Sequence, residues 1–197
     1  MKRKPLVVIA IISAFLLAGC SQVNTAAKVG NTEITTTQVQ TTVNEILKER
    51  AKFDLGQANL PTGSKLNVSI LQFHLYSALF DAIAKGTKLP VTDGDLAKER
   101  SAIIAQVGGE ASLPAALVNA NIAPRDFDKY IRTVIISNSL SDAITQTKIG
   151  DPGTVIQQLI QDQIQSSGLK VNPRYGKWDF QAGDLTSFNP AGSALVK

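Results

Sequence analysis

The sequence predicts a mainly α-helical domain with a small N-terminal β-hairpin and a short C-terminal strand. Five segments repeat apolar residues at the three- and four-residue spacing of an amphipathic helix, and glycine, proline or polar stretches separate them. Residues 28–35 place apolar positions on either side of a Gly-Asn-Thr turn, as a hairpin does. The 197 residues suit one ordinary domain with, at most, a small appendage.

The first twenty residues have the layout of an export signal. Lys2, Arg3 and Lys4 precede an uncharged, mostly apolar run at residues 6–17, and small residues follow it. A helix of that run rises roughly 18 Å, which is short of the roughly 30 Å hydrocarbon core of a bilayer. We therefore expect residues 1–19 to be a cleaved signal peptide.

The end of this signal resembles a bacterial lipobox, with Leu17, two small residues and then Cys20. The resemblance implies cleavage between Gly19 and Cys20 and a diacylglyceryl thioether on Cys20. Two or three acyl chains hold a protein firmly on a bilayer. The alternatives are a plain signal peptide that contains a cysteine, or a buried structural cysteine. The lipobox predicts a protein anchored at the extracytoplasmic face of the cell membrane, with residues 20–27 as a short tether.

Composition excludes several classes of function. A single Cys excludes an intramolecular disulfide and a four-cysteine zinc site, and a single His excludes a two-histidine metal site. The formal charge is +4, but three of the 20 cations lie in the signal, which leaves 17 cations against 16 anions in the remainder. A nearly neutral protein is a poor partner for nucleic acid or an acidic lipid surface.

The first half of the domain reads as a hairpin and two helices. Thr35 can cap a helix that reaches about Arg50, with Gln38 completing a capping-box pattern. Residues 54–65 form a break, and a long helix over residues 66–85 follows. Three aromatic residues widen its apolar stripe, so it is predicted to pack on two sides or to line a groove: Phe73, Tyr76 and Phe80.

The second half predicts four further helices and a strand. Thr92 and Asp95 form a capping box for a helix that stops at Gly108, and a short helix follows at residues 114–119. The next helix covers residues 125–145, with an apolar stripe formed by Phe127, Ile131, Val134 or Ile135, and Leu140. Thr154 is expected to cap a helix over residues 154–167, and residues 169–171 form a short strand. We expect the domain to cover residues 28–180 and the polar, Gly/Ala/Ser-rich residues 181–197 to form a flexible tail.

Candidates for catalysis are few. His74 lies between two leucines on the long helix. We interpret it as a structural histidine at the edge of the core and not as a metal ligand or a catalytic base. Asp93 and Asp95 fit helix capping better than cation binding. No phosphate-binding glycine loop occurs. The sequence therefore predicts no catalytic residue, no metal site, no cofactor and no enzymatic activity.

Three motifs, in their order, resemble the N-terminal chaperone domain of the SurA and PrsA foldases. They are residues 29–35 (VGNTEIT), 90–96 (PVTDGDL) and 117–127 (LVNANIAPRDF). Residues 171–178 (VNPRYGKW) resemble the closing segment of related actinobacterial lipoproteins, so the resemblance covers roughly residues 27–180. It implies a helical chaperone-like domain whose N-terminal hairpin lies near the C-terminal segment.

The chain departs from the foldases at one point. Residues 147–154 directly bridge the position where those proteins carry a parvulin prolyl-isomerase domain, and a single His cannot supply its paired histidines. The resemblance therefore implies nothing about catalysis, and our leading hypothesis is a protein that binds unfolded or exported polypeptides without isomerising proline bonds. The candidate contact residues are Phe53, Phe73, Tyr76, Phe80 and Phe127, any of which could instead belong to the core.

Two kinds of protein partner are open at this stage. A holdase would bind many unfolded chains, whereas a dedicated assembly lipoprotein would have kept the fold and bind one specific partner. The remainder of the chain after the signal has no Met, so it lacks the adaptable thioether side chains of many promiscuous binding surfaces. The sequence leaves the client and the oligomeric state open.

Overall fold

A computed structural model of the chain describes residues 24–54 and 58–186. In these residues the chain forms a mainly α-helical domain with short strands near both ends. The helices are α1 (Thr36–Arg50), α2 (Gly63–Gly86), α3 (Asp93–Gln106), α4 (Leu113–Asn119), α5 (Phe127–Thr147) and α6 (Pro152–Ser167). The strands are β1 (Thr25–Val29), β2 (Thr32–Thr35), β3 (Leu169–Val171), β4 (Lys177–Asp179) and β5 (Asp184–Thr186), and short 3-10 turns cover Pro124–Asp126 and Pro173–Tyr175.

A three-stranded antiparallel sheet joins the two ends of the domain. Its order is β2-β1-β3, so the N-terminal hairpin lies beside the segment that follows α6, as the family resemblance implies. Thr32 pairs with Val29 and begins β2, which leaves a two-residue turn and not the predicted three-residue one. Gly30 has a φ of +56°, and a Cβ there would lie 3.2 Å from Cβ of Ser167, so both conformation and space favour glycine.

The helix starts follow local capping chemistry. The hydroxyl of Thr35 accepts a hydrogen bond from the Gln38 N–H at 3.0 Å, and Thr92 and Asp95 form the predicted capping box. The predicted cap of α6 is wrong, because Asp151 and not Thr154 occupies that position. Asp151 accepts from the N–H of Thr154 at 2.9 Å, and a proline in the first turn suits a helix that begins there.

Helix α2 is the central element of the fold. It begins at Gly63, three residues before the predicted start, and contacts the hairpin, α1, α5 and α6. Its N-terminal half packs in a cluster with the hairpin, α1 and the C-terminal segment. Its C-terminal half packs in a second cluster with α5 and α6, whose buried members are Val29, Leu79, Phe80, Ile83, Ala84, Ile136, Leu140, Ile160 and Ile164. The wide apolar stripe of α2 is therefore explained by packing on more than one side.

A third, smaller cluster lies under α3 and α4. Leu117, Ile122, Phe127 and Ile131 are its buried members, and α3 has no buried residue of its own. Position 136 of α5 was missed by the predicted stripe, which used Val134 or Ile135. Ile136 is the buried residue instead. Because α5 contacts both α2 and α3, its buried positions do not follow one narrow stripe.

Regular structure extends beyond both predicted limits of the domain. β1 begins at Thr25, so part of the predicted tether belongs to the sheet. At the other end, β4 pairs with β5 through Trp178 and Leu185, which carries paired strands past residue 180 to Thr186. Residues 187–197 of the predicted tail lie outside the described residues, as do the predicted cleavage site and Cys20.

Candidate functional site

The five aromatic residues proposed as a contact surface are distributed over different parts of the fold. Phe80 is 8% exposed in the second core cluster, and Phe127 is 2% exposed in the third. The guanidinium of Arg100 lies 4.8 Å from the centre of the Phe127 ring and covers it. In this conformation Phe80 and Phe127 are core side chains, and a client would meet them only after the helices around them moved.

The other three aromatic residues are half-buried. The Tyr76 ring lies 6.4 Å from Phe80 and 5.9 Å, edge-on, from Trp178. Its hydroxyl donates to the carbonyl of Gly183, and burial, followed by the charge of Asp184, raises the pKa of Tyr76. Tyr76 thus holds the hairpin formed by β4 and β5 onto α2.

Phe53 follows the end of α1, and the Phe73 ring lies 5.2 Å from the imidazole of His74. The structure brings Tyr76 and Phe80 together, but it places Phe53 and Phe127 at other parts of the fold. The five residues therefore do not form one continuous aromatic groove in the described structure.

His74 belongs to a closed hydrogen-bonded ring of four side chains. The hydroxyl of Thr42 on α1 donates to Oδ2 of Asp126 at 2.8 Å and lies 3.2 Å from Nε2 of His74. Nζ of Lys129 lies 3.1 Å from Nδ1 of His74 and 3.2 Å from Oδ1 of Asp126. This polar ring ties α1, α2 and the start of α5 together around buried groups.

The donors and acceptors of the polar ring select one state of His74. The Thr42 proton is used by Asp126, so the hydroxyl oxygen accepts from Nε2–H of His74. Nδ1 is then the acceptor for the ammonium of Lys129. Burial, with the nearby charge of Lys129, lowers the pKa of His74 to about 4 against the opposite effect of Asp126. His74 is a neutral structural histidine near neutral pH, which agrees with the sequence-based interpretation.

An open groove lies beside the polar ring, between the hairpin and α2. We call this the hairpin groove. It encloses about 820 Å³, a volume within the usual range of ligand sites. One wall is β2 with the preceding turn, and the floor is a single face of α2 formed by His74, Ser77, Ala78, Asp81, Ala82 and Lys85. Lys129 of α5 and two polar residues of α6, Gln163 and Ser167, complete its lining.

The chemistry of the hairpin groove favours binding over catalysis. Among the described residues, no group of His, Cys, Asp and Glu side chains is arranged to hold a metal ion. The buried His74 is committed to Thr42 and Lys129, and Asp81 forms an ion pair with Arg132 at 2.7 Å. The lining therefore offers small side chains, amides and a strand edge, together with the charged side chains of Glu33 and Lys85.

Sequence reasoning missed the polar ring and the hairpin groove. One signal was present: Thr42 stands among Val39, Val43 and Ile46 on the apolar face of α1, where a hydroxyl needs a buried partner. Asp126 and Lys129 gave no comparable signal, since both fit a polar helix start. The groove depends on how the hairpin lies against α2, which a pattern along the chain does not reveal.

No helix within residues 24–54 and 58–186 combines the length and the apolar character that crossing a membrane requires.

Searches of curated proteins and of solved structures found no match to the chain. The family model for the SurA-like N-terminal domain matches residues 3–141, and the match ends within α5. This match covers more than half of the sequence, so the chain belongs to the family of the SurA-like N-terminal domain.

Proposed function

We propose that the protein is a membrane-anchored, extracytoplasmic lipoprotein that binds unfolded or exported polypeptides as a holdase, without prolyl-isomerase activity. Membership of a chaperone-related family is the observation that carries this proposal. The hairpin groove supports it, because it is open and large enough for several residues, and its lining includes small side chains and a strand edge. Binding would need no covalent step and no cofactor.

The chain between Cys20 and the fold supports a position close to the membrane. β1 begins at Thr25, five residues after the predicted lipid attachment site. Five residues extend at most roughly 18 Å. A lipid on Cys20 would therefore hold the domain directly above the bilayer, where exported chains appear.

An aggregation assay tests the holdase activity. The lipoprotein, purified from membranes in detergent, should slow the aggregation of several unrelated, chemically unfolded proteins at near-stoichiometric amounts. Detergent alone and a folded lipoprotein of similar size are the controls. Activity towards none of these proteins, together with one dominant partner in cellular crosslinking, would contradict the holdase and support the dedicated assembly lipoprotein.

Mass spectrometry and a proline-peptide assay test the other parts of the proposal. The N-terminal peptide should begin at Cys20 and carry a diacylglyceryl group, and Cys20→Ser should release the protein from the membrane fraction. The purified protein should leave the rate of proline isomerisation in a short peptide unchanged. An unmodified Cys20 would overturn the anchor, and a rate enhancement would overturn the non-catalytic mechanism.

A further inference from the structure

The register of the sheet determines which backbone groups of β1 serve β3. Gly30 donates its N–H to the carbonyl of Gly168 at 3.1 Å, and Asn172 donates to the carbonyl of Ala26 at 2.9 Å. Hydrogen-bonded and non-hydrogen-bonded pairs alternate along antiparallel strands. Lys28, midway between these two bonds, therefore also directs its N–H and C=O towards β3.

Glu33 of β2 consequently has no backbone partner on β1. It stands opposite Lys28, whose backbone groups are turned to β3, while Thr32 and Ile34 on either side bond to β1. β2 is the edge strand of the sheet, so the N–H and C=O of Glu33 point to the open side. Such an edge is where an added strand forms its hydrogen bonds.

The dimensions of the hairpin groove fit an extended peptide along this edge. Glu33 lines the groove, and the part of α2 that forms its floor extends from His74 to Lys85. Eleven residues of helix rise roughly 16 Å, which is about the length of five residues of strand. Ser77, Ala78 and Ala82 keep that floor low, so side chains of a bound strand have room above it.

The charged side chains of the groove include both signs, since Glu33 and Lys85 both line it, so charge does not favour one kind of side chain. Lys129 is paired with Asp126, Asp81 is paired with Arg132, and the buried imidazole of His74 is neutral. The hydroxyl of Thr25 bonds to the carboxylate of Glu33. Recognition would then depend on backbone hydrogen bonds, which every polypeptide offers, and only weakly on sequence.

We infer that the hairpin groove binds an extended segment of a non-native polypeptide, which joins the sheet as a strand beside β2 and bonds to the backbone N–H and C=O of Glu33. This inference rests on the proposed function and names the site for it. It moves the contact from the aromatic residues of α2 to a second face of that helix, where Ser77, Ala78 and Ala82 lie, and to the edge of the hairpin.

A matched pair of substitutions at Glu33 tests the inference. Glu33→Pro removes the outward N–H, and proline is tolerated on an edge strand where that group faces away from the sheet. Glu33→Ala removes the same side chain and keeps the N–H. The probe is reduced, carboxymethylated α-lactalbumin, a permanently unfolded chain, and the full lipoprotein in detergent is titrated against it by fluorescence anisotropy.

The Kd for the probe should rise roughly tenfold in Glu33→Pro and stay within about twofold in Glu33→Ala, as expected for losing one backbone hydrogen bond. Equal affinities in the two variants would overturn the inference and leave the proposed function standing. Failure of the probe to bind the wild-type protein would overturn both.

Hydrogen exchange on the wild-type protein gives a second result that does not depend on the folding of a variant. The bound probe should slow exchange of the Glu33 amide, with little change at Lys170, whose N–H is already bonded within the sheet. An unchanged Glu33 amide in a saturated complex would overturn the strand-addition site even if the proline variant did not fold.

Discussion

Nζ of Lys129 lies 3.1 Å from Nδ1 of His74, so a charged ammonium donates to a neutral, buried imidazole. This contact crosses from α5 to α2 and closes the polar ring through Asp126 and Thr42. A proton on Nδ1 would turn the acceptor into a donor that faces a second cation. The arrangement is therefore stable only while His74 is neutral.

Acid should destabilise the protein through His74. The pKa of His74 is about 4 in the folded protein, against 6.5 for an ordinary histidine, so the unfolded chain binds the proton more tightly. The contribution of His74 is complete above pH 6.5 and is lost as the pH falls towards 4. The free energy of unfolding should decrease by up to about 3 kcal/mol across this window, as measured by urea denaturation at several pH values.

His74→Gln supplies the control for this pH dependence. Glutamine carries an amide NH₂ that donates and a carbonyl oxygen that accepts, and it does not titrate, so it can serve both Thr42 and Lys129. The variant should show a flatter pH profile between 6.5 and 4 than the wild type. Parallel profiles for the two proteins would mean that His74 titrates normally in the folded state.

Thr42→Val should destabilise the fold at neutral pH. Thr42 is 1% exposed, and valine has nearly its shape but neither donates to Asp126 nor accepts from His74. Leaving buried polar groups without a partner costs about 1–3 kcal/mol. Thermal and urea unfolding should show this loss, whereas Thr145→Val, at an exposed position whose hydroxyl bonds only within α5, should change stability little. Equal stability of the two variants would show that the polar ring contributes nothing.

The helices could be predicted from the sequence, but the polar ring could not. The helices followed from local signals: apolar spacing, capping residues such as Thr35 and Thr92, and glycine or proline breaks. His74 was placed correctly on its helix, but Thr42 and Lys129 stand 32 and 55 residues away from it. Their meeting depends on how three helices pack, and so does the hairpin groove. The widened aromatic stripe of α2 was visible, yet the stripe alone could not separate a groove from a second packed face.

Substitutions at the start of α6 can test whether Asp151 or Thr154 caps the helix. The Thr154 N–H and hydroxyl both bond to the carboxylate of Asp151, and these bonds lower the pKa of Asp151. Asp151→Ala should lower Tm by a few degrees, because it removes the acceptor for the first turn. Thr154→Ala should have a smaller effect, since the backbone N–H remains. A larger effect of Thr154→Ala would restore the cap that the sequence predicted.

The cap should also respond to pH in a defined direction. The folded-state pKa of Asp151 is depressed, so its contribution is present above the unfolded pKa and is lost as the pH falls through the folded one. The difference in Tm between wild type and Asp151→Ala should therefore shrink at strongly acidic pH. A difference that stays constant down to the acid transition would show that the charged carboxylate is not the capping group.

Alanine substitutions of two phenylalanines should separate folding from client contact. Phe127 is 2% exposed and supports the cluster beneath α3 and α4, so Phe127→Ala should cost about 3–5 kcal/mol of stability. Phe73 is half-buried on α2, and Phe73→Ala should cost clearly less.

If clients bind along the hairpin groove, Phe73→Ala should retain holdase activity at a temperature where it is fully folded, and any loss in Phe127→Ala should follow its unfolded fraction. Aggregation assays run beside circular dichroism at the same temperature decide this. Loss of activity in folded Phe73→Ala would instead return the client contact to the aromatic face of α2, since that variant leaves both the edge of β2 and the small-residue floor of the groove unchanged.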